Sequence, residues 1–229
     1  AQAASRNVHP TNFAGWDVLA RDVDATLHAM PPGTRLLAGN FKLGAELGFA
    51  RGDARIPVLD HPLNHKHGRA PQLALWGLAI DTREALGDGP ILLVASANDV
   101  PFRDLLAHYH ALCRQVGPLP PPQVINIDHG RQRFLLFRLP ATRPAGGCTT
   151  PALAFVDTPT PGAQVGSGFE VAGWAFKDGI GLRGVEVTLD GRVASRMAYG
   201  DANPGVAAFW QVSRDPAHPR VGFHGRVEG

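Results

Sequence analysis

Only two of the 229 residues are cysteine, and Cys113 and Cys148 stand far apart with no C-x-x-C pair. That spacing argues against a cysteine zinc site, whose ligands come in closely spaced pairs. One disulfide in an oxidising compartment and two separate thiols, with Cys113 packed as a small apolar residue on a helix, both fit the sequence. Charge of one sign is also missing. Twenty-two basic residues face twenty acidic ones, for a net charge of +2, without the basic stripe that nucleic-acid binding uses. Aromatics are sparse at 7%, too few for a base-stacking platform. No apolar run reaches the ~18 residues of a membrane span. The longest, such as Ile91–Ala97, have the length of a strand.

Nucleotide signatures are missing as well. Gly39, Gly44 and Gly48 do not spell G-x-G-x-x-G, Gly87 and Gly89 precede a strand instead of following it, and no P-loop occurs. Ser96 lacks the flanking glycines of a nucleophile elbow. The chain starts at Ala1 with neither an initiator Met nor a signal-peptide pattern, which reads as a processed form or an excised piece.

What is present divides into two styles of pattern. Trp16, Leu19, Val23 and Leu27 recur at helical spacing within Thr11–Met30, and Pro31-Pro32-Gly33 stops that helix. A short strand Arg35–Ala38 leads to Asn40, a capping residue type, and to a helix through Phe41, Leu43, Leu47 and Phe49 that ends near Gly52. A strand Ile56–Leu59, a polar loop Asp60–Arg69 and a turn or two of helix at Ala70–Leu78 follow. Then come the buried strand Ile91–Ala97 and a helix from Pro101 past Leu112. The strands Gln123–Ile127 and Arg133–Leu139 are joined by a turn at Asp128-His129-Gly130. Strand alternating with helix predicts a three-layer α/β domain on a mainly parallel sheet with an antiparallel edge, over residues 1–145. Pro, Gly, Thr and Ala crowd into Pro140–Pro151 as a linker. Beyond it, six short alternating runs with turns such as Asp190-Gly191 predict an all-β, immunoglobulin-like sandwich over residues 152–229; Ala207–Val212 is among those runs.

Three groups of residues are candidates for chemistry. His61, His65 and His67, with Asp60, share one loop. Imidazole and carboxylate suit zinc, although H-x3-H-x-H matches no strong zinc signature and an exposed polar loop is the ordinary alternative. Asn40, Lys42 and Glu46 sit where a strand passes into a helix, the end of an open sheet at which ligands bind. There the ordinary roles are a cap and an i, i+4 pair. Asn98 and Asp99 follow the Ile91–Ala97 strand, where capping is again the ordinary role. His108 and His110, two apart on a helix, cannot chelate together. Trp174, Phe176, Phe209 and Trp210 are the large aromatics of the second domain. If Phe209 and Trp210 are neighbours on a strand, one of them faces out and offers a sugar-stacking or docking surface.

Trp16-Asp17-Val18-Leu19-Ala20, Leu36 through Leu47, and His67-Gly68-Arg69-Ala70-Pro71-Gln72 with Trp76 together carry a likeness. Over residues 10–140 the chain resembles the soluble carboxyl-terminal domain of bacterial membrane glycosyltransferases, the protein mannosyltransferase and aminoarabinose-transferase relatives that use lipid-linked sugar phosphates. The second domain is similar to immunoglobulin-like modules of bacterial envelope proteins, through Glu170–Phe176, Gly184–Val187 and Leu189-Asp190-Gly191. The likeness implies membrane spans ahead of Ala1 in the same polypeptide, a place on the periplasmic side of the inner membrane, and no catalytic residue in this piece. It implies an accessory role in holding or covering a lipid-linked donor or a glycan acceptor, with Asn40, Lys42, Glu46, His67, Arg69 and Gln72 as binding residues and no obligatory cofactor. Lys42 and Arg69 would meet phosphate. The competing readings are a free-standing periplasmic carbohydrate- or protein-binding module and a small enzyme built on the histidine loop with zinc.

Overall fold

The computed structural model describes residues 15–127 and 130–228. The chain divides into two units, Ala1–Cys148 and Thr149–Gly229. The start of the first helix at Thr11 and the turn residues Asp128 and His129 lie outside the described residues.

In the first unit, α1 (Trp16–Ala29) buries Leu19 and Val23 completely, as its apolar spacing requires. β1 (Arg35–Ala38) passes into α2 (Phe41–Arg51), whose cap is Asn40 as the sequence indicates. Its side chain accepts from the backbone N–H groups of Lys42 and Leu43. β2 (Val58–Leu59) is only two residues long. The loop expected after it contains a helical turn, α3 (Pro62–Lys66), because His61 caps it and Pro62 occupies its first position. α4 (Ala70–Leu75) and β3 (Ala79–Ile80) follow, then a 3-10 turn at Arg83–Leu86. β4 (Ile91–Ser96) is buried at every position, which marks a central strand. A second 3-10 turn, Phe102–Asp104, opens α5 (Leu105–Val116), and β5 (Gln123–Ile127) and β6 (Gln132–Leu139) complete the sheet.

The strand order is β3-β2-β1-β4-β6-β5. β1, β2, β3 and β4 pair in parallel, but the β2 ladders involve one or two residues each. β4 pairs antiparallel with β6 along its whole length, from Ile91 opposite Leu139 to Ser96 opposite Phe134, and β5 pairs antiparallel with β6. The expected three-layer, mainly parallel α/β domain is therefore corrected. The chain is mostly β-sheet with few helices, and its longest ladders are antiparallel. The physical reason is that apolar runs reveal burial and not the direction of the neighbour. The long apolar strand β6 lies against β4 in the middle of the sheet, while beyond β1 the parallel flank is reduced to the two-residue strands β2 and β3.

The segment after β6 is pinned to this unit. The buried Arg83 guanidinium donates to the carbonyls of Pro140 (2.7 Å) and Ala141 (3.1 Å), and Arg143 pairs with Glu84. Cys113 and Cys148 are joined as a disulfide.

The second unit contains β7 (Leu153–Thr158), β8 (Gly168–Phe176), β9 (Val185–Leu189), β10 (Arg192–Asp201), α6 (Pro204–Phe209) and β11 (Gly222–Glu228). All five strands form one antiparallel sheet, β7-β8-β11-β10-β9, curled into a half-barrel. The expected immunoglobulin-like sandwich is corrected on this point. β10 serves two neighbours, pairing through Arg192–Met197 with β9 and through Ala198–Asp201 with β11. Register shifts after Val193 and Tyr199 bend it. The curl wraps a core of Val171, Met197, Phe223 and Val227. The run Ala207–Val212, expected as a strand, falls on α6 and the turn after it. Asn203 caps that helix by accepting from Val206 N–H, and Pro204 starts it, so a strand that a second sheet would need is absent there. Asp190 and Gly191 both take positive φ and make the β9–β10 hairpin turn.

Candidate functional site

β1 leads toward β2 and β3 on one side of the sheet, and its neighbour β4 leads toward β6 and β5 on the other. The chain thus diverges at the carboxyl ends of β1 and β4, the position at which open sheets form a ligand crevice. A polar cluster fills it. Asn40 is buried, and its Nδ2 donates to Asp99 Oδ2 at 2.5 Å. Lys42 Nζ pairs with Asp99 Oδ1 at 2.8 Å and lies 6.0 Å from the centre of the Trp16 ring. The Asp99 side chain is only 2% exposed, so one carboxylate is shared between an amide and an ammonium away from solvent. Asn98 is occupied in a different way, clipping β6 by accepting from Arg133 N–H and donating to the Arg131 carbonyl.

Two histidines border the cluster. His61 Nδ1 accepts from Leu63 N–H, so its proton sits on Nε2, which is buried without a hydrogen-bond partner. The His61 and His108 rings meet edge to face with centroids 5.2 Å apart. Burial holds His61 below the ordinary imidazole value; Lys42 adds to that, while Asp99 and Asp60 oppose it. Burial, then His61, lowers His108 to about 4, against the pull of Asp99. Burial raises Tyr109, next to it on α5, to about 12. Both histidines are therefore neutral at pH 7.

The histidines of the former loop go separate ways. His65 Nε2 lies 2.6 Å from Asp60 Oδ1 near the surface, and His67 packs on Phe41 with centroids 5.6 Å apart. Among the described residues no three His, Cys, Asp or Glu side chains are grouped to hold a metal ion.

An open concavity lies elsewhere, between α2 and α4. It is a groove of about 590 Å³ with Ile56, Val58, Leu73 and Leu78 among its apolar lining residues. On the α2 side it is lined by Gly44, Ala45 and Gly48. A Cβ on Gly44 would lie 2.7 Å from Val58 Cγ2, and one on Gly48 2.9 Å from the Asp53 carbonyl oxygen. The glycines thus let the helix approach closely and leave bare backbone in the wall. Phe41, Phe49 and Trp76 are its aromatic lining residues, with Phe49 89% and Trp76 60% exposed. Arg69 and Gln72 are the polar groups, and Arg69 Nη1 donates to Gln72 Oε1 at 3.4 Å. Asn64 braces this end, accepting from Phe41 N–H and donating to the Leu59 carbonyl.

The sequence candidates therefore fall into two sets. Asn40 and Lys42 join Asp99 in the closed cluster; Arg69 and Gln72 line the groove, with His67 against one of its aromatics. Glu46 is half-buried on α2 and does not line the groove. Asp99, His61 with His108, and Asn64 gain importance only through the adjacency of β1, β2 and β4. The groove had one sequence signal, the small residues recurring at i, i+4 from Gly44 to Gly52. In the second unit Phe209 is 52% exposed and Trp210 is buried, at the end of a helix and not on a strand.

Neither a protein-family model, nor a curated protein, nor a solved structure matches this chain.

Proposed function

We propose that this chain is an accessory region of a membrane glycosyltransferase that uses a lipid-linked sugar phosphate, and that its first unit holds or covers donor or acceptor without catalysing transfer. The observation that carries the reading is the origin of the groove. Its two sides come from the two stretches that resemble those transferases: Phe41, Gly44 and Ala45 from one, Arg69, Gln72 and Trp76 from the other. An apolar groove with a guanidinium in its lining suits a ligand that is part hydrocarbon and part anion. Lys42 has a smaller part than the resemblance implies, because Asp99 already neutralises it. The Cys113–Cys148 disulfide is in keeping with an oxidising compartment such as the periplasm. The polypeptide's own membrane spans are the proposed partner.

The test is the coding sequence upstream of Ala1. Many consecutive hydrophobic spans in the same reading frame are expected. A start codon near Ala1, or a secretory signal alone, removes the transferase reading and leaves a free-standing binding module.

A further inference from the structure

We infer that the α2–α4 groove is a binding site for a single-chain lipid phosphate, with the hydrocarbon chain along Gly44, Ala45 and Gly48 and the phosphate at Arg69 and Gln72. The assignment rests on the groove being the ligand-holding site proposed above, but not on the parent being a transferase. Its volume of about 590 Å³ lies within the ~300–1,000 Å³ of small-ligand sites. Most of its lining is apolar, so a hydrocarbon chain enters without leaving a hydrogen-bonding group unpaired. Phe49 and Trp76, both largely exposed, gain cover from a bound chain.

The head group follows from charge. Among the described residues Arg69 has no carboxylate partner and donates only a long bond to Gln72. Its guanidinium fork and the Gln72 amide together offer several donors to the oxygens of one phosphate. Arg69 is the one cation among the described lining residues; Lys42, at the start of α2, is held by Asp99, and Arg55, between Ala54 and Ile56, pairs with Asp53, so the anionic end of the ligand is directed to Arg69. One cation in an otherwise largely apolar lining corresponds to one head and one tail.

The experiment is isothermal titration calorimetry of the full chain with dodecyl phosphate below its micellar concentration, dodecanol and inorganic phosphate. Saturable binding of dodecyl phosphate is expected, with dodecanol at least about tenfold weaker and inorganic phosphate weaker still. Arg69→Ala should weaken dodecyl phosphate about tenfold and leave dodecanol unchanged. Ala45→Trp, at an exposed position on α2, should abolish both by filling the groove, with the circular dichroism spectrum retained. Absence of saturable binding, equal affinity for dodecyl phosphate and dodecanol, or indifference to Arg69→Ala overturns the assignment. So does concentration-dependent dimerisation that Ala45→Trp removes without any binding of dodecyl phosphate, which would make a second copy of the chain the occupant. Binding by a chain whose gene encodes no upstream spans keeps the site and discards the transferase reading; upstream spans without binding do the reverse.

Discussion

Two ends of one helix surface solve opposite problems. At the start of α2 a cap, an ammonium and a buried carboxylate satisfy one another, and two neutral histidines stand beside them. Further along the same helix, glycines and aromatics leave a groove that nothing in the described chain fills. The residues with conspicuous chemistry are used to hold the strand ends together. The opening toward a ligand is made by residues with little chemistry of their own. A buried charge is stable only when paired, so the first region has to be closed. An apolar wall needs no partner, so the second can stay open.

The largest test of this contrast is Asp99→Ala. It strips the acceptor from buried Asn40 and from Lys42, whose side chain is 30% exposed and regains water, and the expected loss is about 2–4 kcal/mol in urea unfolding. A loss under about 1 kcal/mol would mean that the cluster is not closed.

Acid should open the same region. Folded His61 and His108 titrate below 6.5, so on descending through that value the unfolded chain binds protons first. Their contribution is complete above pH 6.5 and is lost as pH falls, for His108 down to about 4. For His108 alone this is on the order of 3 kcal/mol. His108→Phe should flatten the difference in unfolding free energy across that window relative to the parent chain. An unchanged slope would sever the histidines from the cluster.

Gly44→Ala sharpens the other side. Alanine in a helix normally gains about 1 kcal/mol over glycine. Here its Cβ meets Val58, and overpacking of about 1–3 kcal/mol should reverse the sign, to a net loss near ~1 kcal/mol. A stabilised variant would show that α2 does not need its glycines. The smallest effect on folding is expected for Arg69→Ala, within about 0.5 kcal/mol, because its side chain is exposed and has no carboxylate partner among the described residues. Its effect should appear in lipid-phosphate binding alone, and a clear loss of stability would place Arg69 in the fold and not at a ligand.

Much of the local structure was legible. The Asn40 cap, the helix through Leu19 and Val23, and the buried strand at Ile91–Ser96 follow from patterns a few residues long. Strand direction was legible only for the β5–β6 hairpin, which is antiparallel as expected; against β4, β6 reads as the same apolar run whether it lies parallel or antiparallel. Ala207–Val212 reads as an alternating strand, but Asn203 and Pro204 upstream start a helix there. The histidine loop shows why a cluster in sequence is not a cluster in space: His61 turns to His108 on α5, His65 to Asp60, and His67 to Phe41.

By itself, the sequence determined the main helices and strands of the first unit, the Asn40 cap and the Asp190-Gly191 turn, since these depend on neighbours within one or two helical turns. Only the tertiary structure decided that Asp99 stands against Asn40 and Lys42, that five strands curl into one sheet, and that Gly44, Arg69 and Trp76 line one groove. Those relations join residues tens of positions apart. They are set by strand order and direction, which local periodicity does not encode.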